Sequence, residues 1–290
     1  MQNHIRNPIE WGWDQLKGTG HVLENAASSI DGAWETHDAA PPVVRPIAVA
    51  DLREALARGV RDFTACRTDV VFLCMIYPVA GLVISRLAVD YGFLPLVFPL
   101  VSGFALIAPL FGVGLYEMSR RRELGIARGW SDAFAVARSP SFGSILALGL
   151  ILLGLFALWL WAAWLIYTVT LGPDAPVSAL AFARDAVTTH AGWTMILAGV
   201  GTGFLFAIAV LAISVVSFPL LLDRNVGVGT AIATSLKAVR DNPGPMALWG
   251  LIVAAGLVLG ALPLLVGLAI VLPVLGHATW HLYRRVVAPA

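Results

Sequence analysis

The sequence predicts an all-α, polytopic membrane protein. Six transmembrane helices pair as three tandem hairpins, each preceded by a short amphipathic helix on the cytoplasmic surface. Three observations carry this expectation. The 290 residues are 58% hydrophobic and only 13% charged, against roughly 25% charged in soluble domains. Apolar stretches long enough for the ~20 residues of a bilayer helix recur along the chain. Lysine and arginine fall almost wholly in alternate connections.

Four regions follow in order: an acidic amphipathic tail over 1–38, a proline-rich linker over 39–50, a six-helix membrane domain over 51–285, and a C-terminal tail over 286–290. The tail carries Glu10, Asp14, Glu24, Asp31, Glu35 and Asp38 against only Arg6 and Lys17. Its first 30 residues lack the apolar core of about 7 to 15 residues that marks a signal peptide, so no cleavable leader is expected. Asn7 and Pro8 suit a helix start. The following stripe, Ile9, Trp13, Leu16, Gly20, Leu23, Ala27 and Ile30, gives one apolar face. An acidic helix gains nothing from anionic lipid, which attracts Lys and Arg. A protein groove, on this molecule or on a partner, is therefore the expected destination, with Ile9, Trp13, Leu16, Leu23 and Ile30 as candidate partner-binding residues. Gly18 and Gly20 each weaken the helix by ~1 kcal/mol relative to alanine, which suits folding on binding. "AAPPVVRP", 39–46, reads as an extended connector.

Apolar spans are predicted at about 70–89, 93–116, 142–170, 192–221 and 246–283. The last is long enough for two helices with a turn near Gly260 and Pro263. Of the 19 Lys and Arg, 17 lie on one side of this arrangement, leaving Arg86 and Arg184. The positive-inside rule then puts both termini in the cytoplasm. Trp159, Trp161, Trp164 and Tyr167 are expected to form an aromatic belt at the outer boundary.

An internal repeat supports the three-unit reading. "IAPLFGVGLYEMSRR" (107–121) aligns with "VLPVLGHATWHLYRR" (271–285) at an offset of 164, matching Pro109 to Pro273, Gly112 to Gly276 and the two arginine pairs. The fourth span ends similarly, with Pro219 and then Arg224. The pairs Phe63 and Arg67, Phe134 and Arg138, and Leu236 and Arg240 precede the three odd-numbered spans. In this register His277 replaces Val113 and His281 replaces Glu117. Two imidazoles four residues apart share a helix face and supply half of a metal site, yet no third ligand is evident. They are expected to be interfacial histidines beside Trp280 and Tyr283, replaceable by glutamine without effect on fold. No metal, haem or other cofactor is expected.

No Asp, Glu, Lys, Arg or His occurs over 91–116, 139–173 or 191–222, which argues against a proton-coupled transporter or ion pump. Gly199 and Gly203, and Gly256 and Gly260, have the spacing of small residues at helix-packing faces. Phosphate-cradling loops, "HExxH" and the serine nucleophile elbow are missing, so no enzyme class is indicated. The net charge of +1 and the lack of a basic aromatic run give no reason to expect nucleic acid. Cys66 and Cys74, roughly 12 Å apart along one helix, are too distant for a disulfide.

The segments "LARGVRDF", "LIAPLFGVGLYEMSRRRE", "SVVSFPLLLDRNVGVGTAIATSLKAVRDNPGPMALWG" and "LPLLVGLAIVLPVLGHATWHLYRR" resemble a bacterial inner-membrane family, domain-of-unknown-function family 2189, over roughly 50–285. Some members are labelled cytochrome c oxidase subunit I. The residues do not support that chemistry, because a haem-copper centre needs several intramembrane histidines and only His277 and His281 are near, at one edge. The resemblance implies an architecture without a mechanism. The sequence-level expectation is a multi-pass inner-membrane protein, N-in and C-in, acting as a non-enzymatic accessory or scaffold subunit of another membrane assembly, a respiratory one included. Its partners are the lipid bilayer and a membrane protein reached through the tail. The alternative is a facilitator for an uncharged or amphiphilic solute or lipid.

Overall fold

The computed structural model describes residues 32–35, 41–65, 93–126, 139–174, 176–263 and 265–289, with single positions at 79, 81–83, 86 and 136. Most of the expected first span, the stripe from Ile9 to Ile30, and Cys66 and Cys74 lie outside the described residues. The regular structure among them is helical, and an isolated antiparallel bridge between Val44 and Val287 supplies the extended pairing. The helices are α1 (Val49–Ala65), α2 (Val97–Phe111), α3 (Val113–Glu123), α4 (Phe142–Thr170), α5 (Ala179–Thr188), α6 (His190–Ser214), α7 (Ser217–Asp223), α8 (Val228–Asp241), α9 (Pro243–Ala261) and α10 (Leu268–Val286).

Four helical segments are long and apolar enough to cross a bilayer: Leu94–Glu123, Phe142–Thr170, His190–Asp223 and Pro243–Ala261. Six were expected. The first is mostly outside the described residues. The sixth, α10, has 19 residues, but His277, His281, Arg284 and Arg285 make its second half polar. The turn expected near Gly260 and Pro263 is present between α9 and α10.

Antiparallel packing builds the body. Along α2 and α4, a Cβ on Gly149 would touch Leu110 and one on Gly103 would touch Phe156 and Trp159. Trp159 Nε1 donates to the Pro99 carbonyl at 3.0 Å, and its ring tilts against Phe206 of α6 at 5.8 Å between centroids. Gly256 meets Val271 and Leu275, and Gly260 meets Leu268, closing the α9–α10 hairpin. Gly203 meets Trp159, whereas Gly199 has no described neighbour within 4 Å. The expected belt is therefore split. Trp161 and Trp164 point outward, but Trp159 and Tyr167 are buried, because their polar tips find backbone carbonyls inside the chain, Pro99 for Trp159 and Asp174 for Tyr167 at 2.5 Å.

Each proline expected before a basic helix end sits differently. Pro109 lies inside α2 and the helix breaks three residues later at Gly112. A second break, at 215–216, separates α6 from α7, which contains Pro219. There the Val216 N–H donates to Ser235 Oγ of α8 at 3.2 Å. α10 continues through Pro273.

α8 packs on α6 and α7, and α1, the first of the described α-helices, packs on α10, the last. The described chain is thus closed into a ring at its two ends. α1 buries Leu52, Ala55, Gly59, Asp62 and Phe63, the i, i+3, i+4, i+7 pattern of one helix face. A strap ahead of α1 adds to the closure. Arg45 N–H donates to the Val286 carbonyl at 2.7 Å and Ala288 N–H to that of Val43 at 2.9 Å. Arg45 Nη2 donates to the carbonyls of Arg284 and Val287, and Ile47 N–H to Asn242 Oδ1 at 2.8 Å. This part of the proline-rich connector is extended but bound along its length. Ahead of it, Ala33 is buried and its carbonyl accepts from Ser144 Oγ at 3.0 Å.

Gly59 lets α1 approach α10 closely: a Cβ there would lie 2.7 Å from the backbone nitrogen and Cβ of Ala278. Gly59→Val should therefore push α1 off α10 and destabilise the fold by about 3 kcal/mol or more, at the upper end of overpacking costs. A lowered thermal midpoint of the purified protein, with Gly154→Val on the outer face of α4, where nothing lies within 4 Å, as the control, checks this.

Candidate functional site

Where α1, α3 and α10 meet, at the end of the bundle that carries most of the described arginines, the chain buries a connected set of polar side chains. Asp62, on the inward face of α1, is 6% exposed, Ser119 of α3 is 1%, and His277 and His281 of α10 are 1% and 6%. Helix periodicity places each member. Asp62 follows Gly59 by three, so it continues the apolar stripe inward. His277 and His281, four apart, share the face of α10 that Ala278 opens toward α1. Ser119 lies one turn beyond Leu115, which packs against Gly276.

One carboxylate ties the set together. Asp62 Oδ2 accepts from Ser119 Oγ at 2.6 Å and from His281 Nε2 at 2.8 Å, while Oδ1 pairs with Arg122 Nη1 at 2.9 Å. Ser119 Oγ is also 2.8 Å from His277 Nδ1. Since the serine proton goes to Asp62, the serine oxygen accepts from Nδ1–H of His277. The Nε2 of His277 is buried and has no partner among the described residues. His281 Nδ1 faces Glu123 Oε1 at 3.5 Å, an ion-pair rather than a hydrogen-bond distance. With a carboxylate on each side, the ring is placed as an imidazolium. Arg284 extends the network, reaching Glu123 at 3.3 Å and Asp223 at 3.4 Å, and Tyr283 OH donates to Asp223 at 2.7 Å.

Burial alone would raise the Asp62 carboxyl; the hydrogen bonds from His281 and Ser119 outweigh it and hold the group below its ordinary 3.8. The arrangement differs from a nucleophilic triad, in which imidazole stands between hydroxyl and carboxylate. Here serine stands between them and is buried. Nor do the two histidines converge on an open point: three of their four ring nitrogens face Ser119, Asp62 and Glu123. Among the described residues no group of three or more His, Cys, Asp or Glu is arranged to hold a metal ion.

The histidines are thus in the core rather than at a wet helix end. The physical reason is α1, which covers α10 and brings its own acid. The partner-binding stripe, Ile9, Trp13, Leu16, Leu23 and Ile30, lies outside the described residues. Sequence reasoning missed Asp62 and Ser119. A signal existed for Asp62, an acid in register with the apolar stripe Leu52, Ala55 and Gly59. Ser119, within "MSRRRE", gave none.

Residues 97–223 match the family model described as "Predicted integral membrane protein (DUF2189)", which bears out the resemblance read from the sequence. No curated protein and no solved structure matches the chain.

Burial reverses the expectation that glutamine at 277 and 281 is silent. His281→Gln should destabilise the protein, and Asp62→Ala should cost about 3 to 5 kcal/mol by stranding buried cationic partners; denaturation of each variant in detergent measures both. The lowered Asp62 value also fixes a pH dependence. A group whose folded value lies below its unfolded value contributes fully above the unfolded value and loses that contribution as pH falls through the folded one. Melting midpoints of wild type should therefore fall more steeply below pH 3.8 than those of Asp62→Asn.

Proposed function

We propose that this integral membrane protein is a non-enzymatic accessory or scaffold subunit of another assembly in the bacterial inner membrane, a respiratory one included. Six spans form three tandem hairpins with both termini in the cytoplasm. The observation that carries this reading is the fate of its charges. The buried or half-buried acids at the basic end, Asp62, Glu117, Glu123 and Asp223, are each held by arginine, histidine or hydroxyl partners of the same chain. They join helices rather than line a route across the bilayer, and the apolar parts of the spans carry no ionisable group. Outward-facing Phe204 and Leu205 are about two-thirds exposed and suit lipid or a membrane partner. The acidic tail, joined to the ring through the strap, is the segment best suited to a protein groove.

A second reading, facilitation of an uncharged or amphiphilic solute, draws support from one feature. An apolar cleft of about 100 Å³ lies among α2, α6, α9 and α10 beside both helix breaks, with Pro109, Gly112, Val215 and Trp249 in its walls. An apolar cavity of ~150 Å³ holds one benzene. This cleft is smaller, so it ranks behind the scaffold.

Two measurements test the proposal. In a cysteine-free background, Val177→Cys at a fully exposed site beyond α4 should react with an impermeant reagent in intact cells, and Lys237→Cys on α8 only after permeabilisation; the opposite pattern overturns the topology. Purification from native membranes should yield a stoichiometric partner that is lost on deleting residues 1–30. Trp13→Asp should weaken its binding ten-fold or more, since burying such a side chain is worth roughly 1.5 to 3 kcal/mol. An unchanged set of co-purified proteins puts the solute facilitator first.

A further inference from the structure

A second polar feature stands beside the Asp62 network and is not part of it. It is an open pocket of about 440 Å³ at the basic end of the bundle, between α3, the start of α4 and the end of α7. Arg120, Arg121 and Arg224 line it together with Ser139, Ser141 and Asn225. Two acids are also in the wall, but both are engaged. Glu117 accepts from Arg120 Nε at 2.7 Å and from Arg121 Nε at 2.8 Å, and Asp223 accepts from Tyr283 OH and Arg284. Among the described residues the wall carries three arginines against two carboxylates.

Two independent features give that excess a direction. Arg224 is 8% exposed, an unusual depth for an arginine with no carboxylate partner among the described residues. One of its Nη groups donates to the Ala288 carbonyl, and its Nε is buried with no acceptor among the described residues. The 29-residue α4 begins at the same wall, and its N-cap, Ser141, makes no side-chain cap. The Ser141 hydroxyl turns instead to the Arg224 carbonyl at 3.5 Å. The positive end of a long helix dipole therefore opens beside three arginines. Amide N–H groups at a helix start and forked guanidinium donors both match phosphate oxygens.

We propose that this pocket binds a phosphate-bearing anion, either the head group of an anionic phospholipid or free phosphate. Its place at the ends of the apolar spans α4 and α6 puts it at head-group level, where basic clusters recognise anionic lipid. The site would anchor the start of α4 against α3 and α7, and it does not depend on the scaffold reading.

The test uses the full-length protein in uncharged detergent, titrated with dioctanoyl phosphatidylglycerol, with dioctanoylglycerol as the phosphate-free lipid, and with inorganic phosphate at constant ionic strength. The readout is the thermal midpoint together with mass spectrometry of retained ligand. Phosphatidylglycerol should stabilise saturably and dioctanoylglycerol should not. Arg120→Gln and Ser139→Glu should each weaken binding at least ten-fold. Ser139→Glu adds a carboxylate at the partly exposed rim, so it decides the matter even if Arg224→Gln fails to fold. Competition by inorganic phosphate identifies a free-anion site; binding of the lipid without such competition identifies a head-group site. Equal effects of the two lipids, no effect of either lipid or phosphate, or unchanged affinity in both Arg120→Gln and Ser139→Glu overturns the proposal.

Discussion

The fold turns on one buried carboxylate. Asp62 reaches a position where water is nearly excluded, and an ion there is tolerable only if it is paired and hydrogen-bonded. It is bonded by a hydroxyl from α3, an imidazole from α10 and a guanidinium from α3. These bonds fix more than a local contact. α1 stands near the start of the chain and α10 near its end, so the bonds to Asp62 join helices that the connectivity leaves far apart.

The rest of the basic end follows from that closure. With α1 seated, Gly59 and Ala278 come into van der Waals contact, Arg285 can reach Glu54 and Asp51 of α1, and the strap can run beside the C-terminus. Asn242, at the junction of α8 and α9, accepts from Ile47 N–H and donates to the Arg45 carbonyl, so the last surface helix is joined to the same strap. The two helix breaks, at Gly112 and at 215–216, lie just before this layer and separate α3 from α2 and α7 from α6. Apolar helices below and hydrogen-bonded short helices above are thus two kinds of packing in one chain. The first gains nothing specific from lipid, which is as apolar as leucine. The second is directional and sets the register.

That division also explains how the charges are used. The arginines that the positive-inside rule counts are not merely solvated anchors. Arg120 and Arg121 clamp Glu117, Arg122 meets Asp62, and Arg284 links Glu123 to Asp223. Arg224, like Arg45, directs its bonds to backbone carbonyls instead of an acid, and the pocket beside it has three arginines against two acids among the described residues.

The sequence alone determined the membrane class, the apolar helices and a turn near Gly260 and Pro263, because length, hydropathy and turn residues are local properties. It also marked Pro109, Pro219 and Pro273 as equivalent, and His277 and His281 as sharing a face. It could not say that the histidines are buried, since that depends on α1, more than 200 residues earlier, lying over α10. It misread Trp159 as a belt residue for the same reason: only the tertiary structure brings the Pro99 carbonyl to its indole. Proline alone did not decide which helix breaks. α10 continues through Pro273, while Gly112 and the Ser235-bonded 215–216 junction interrupt the other two. What tertiary structure decided in each case was the partner of a polar group, and a partner distant in sequence leaves no trace in local periodicity.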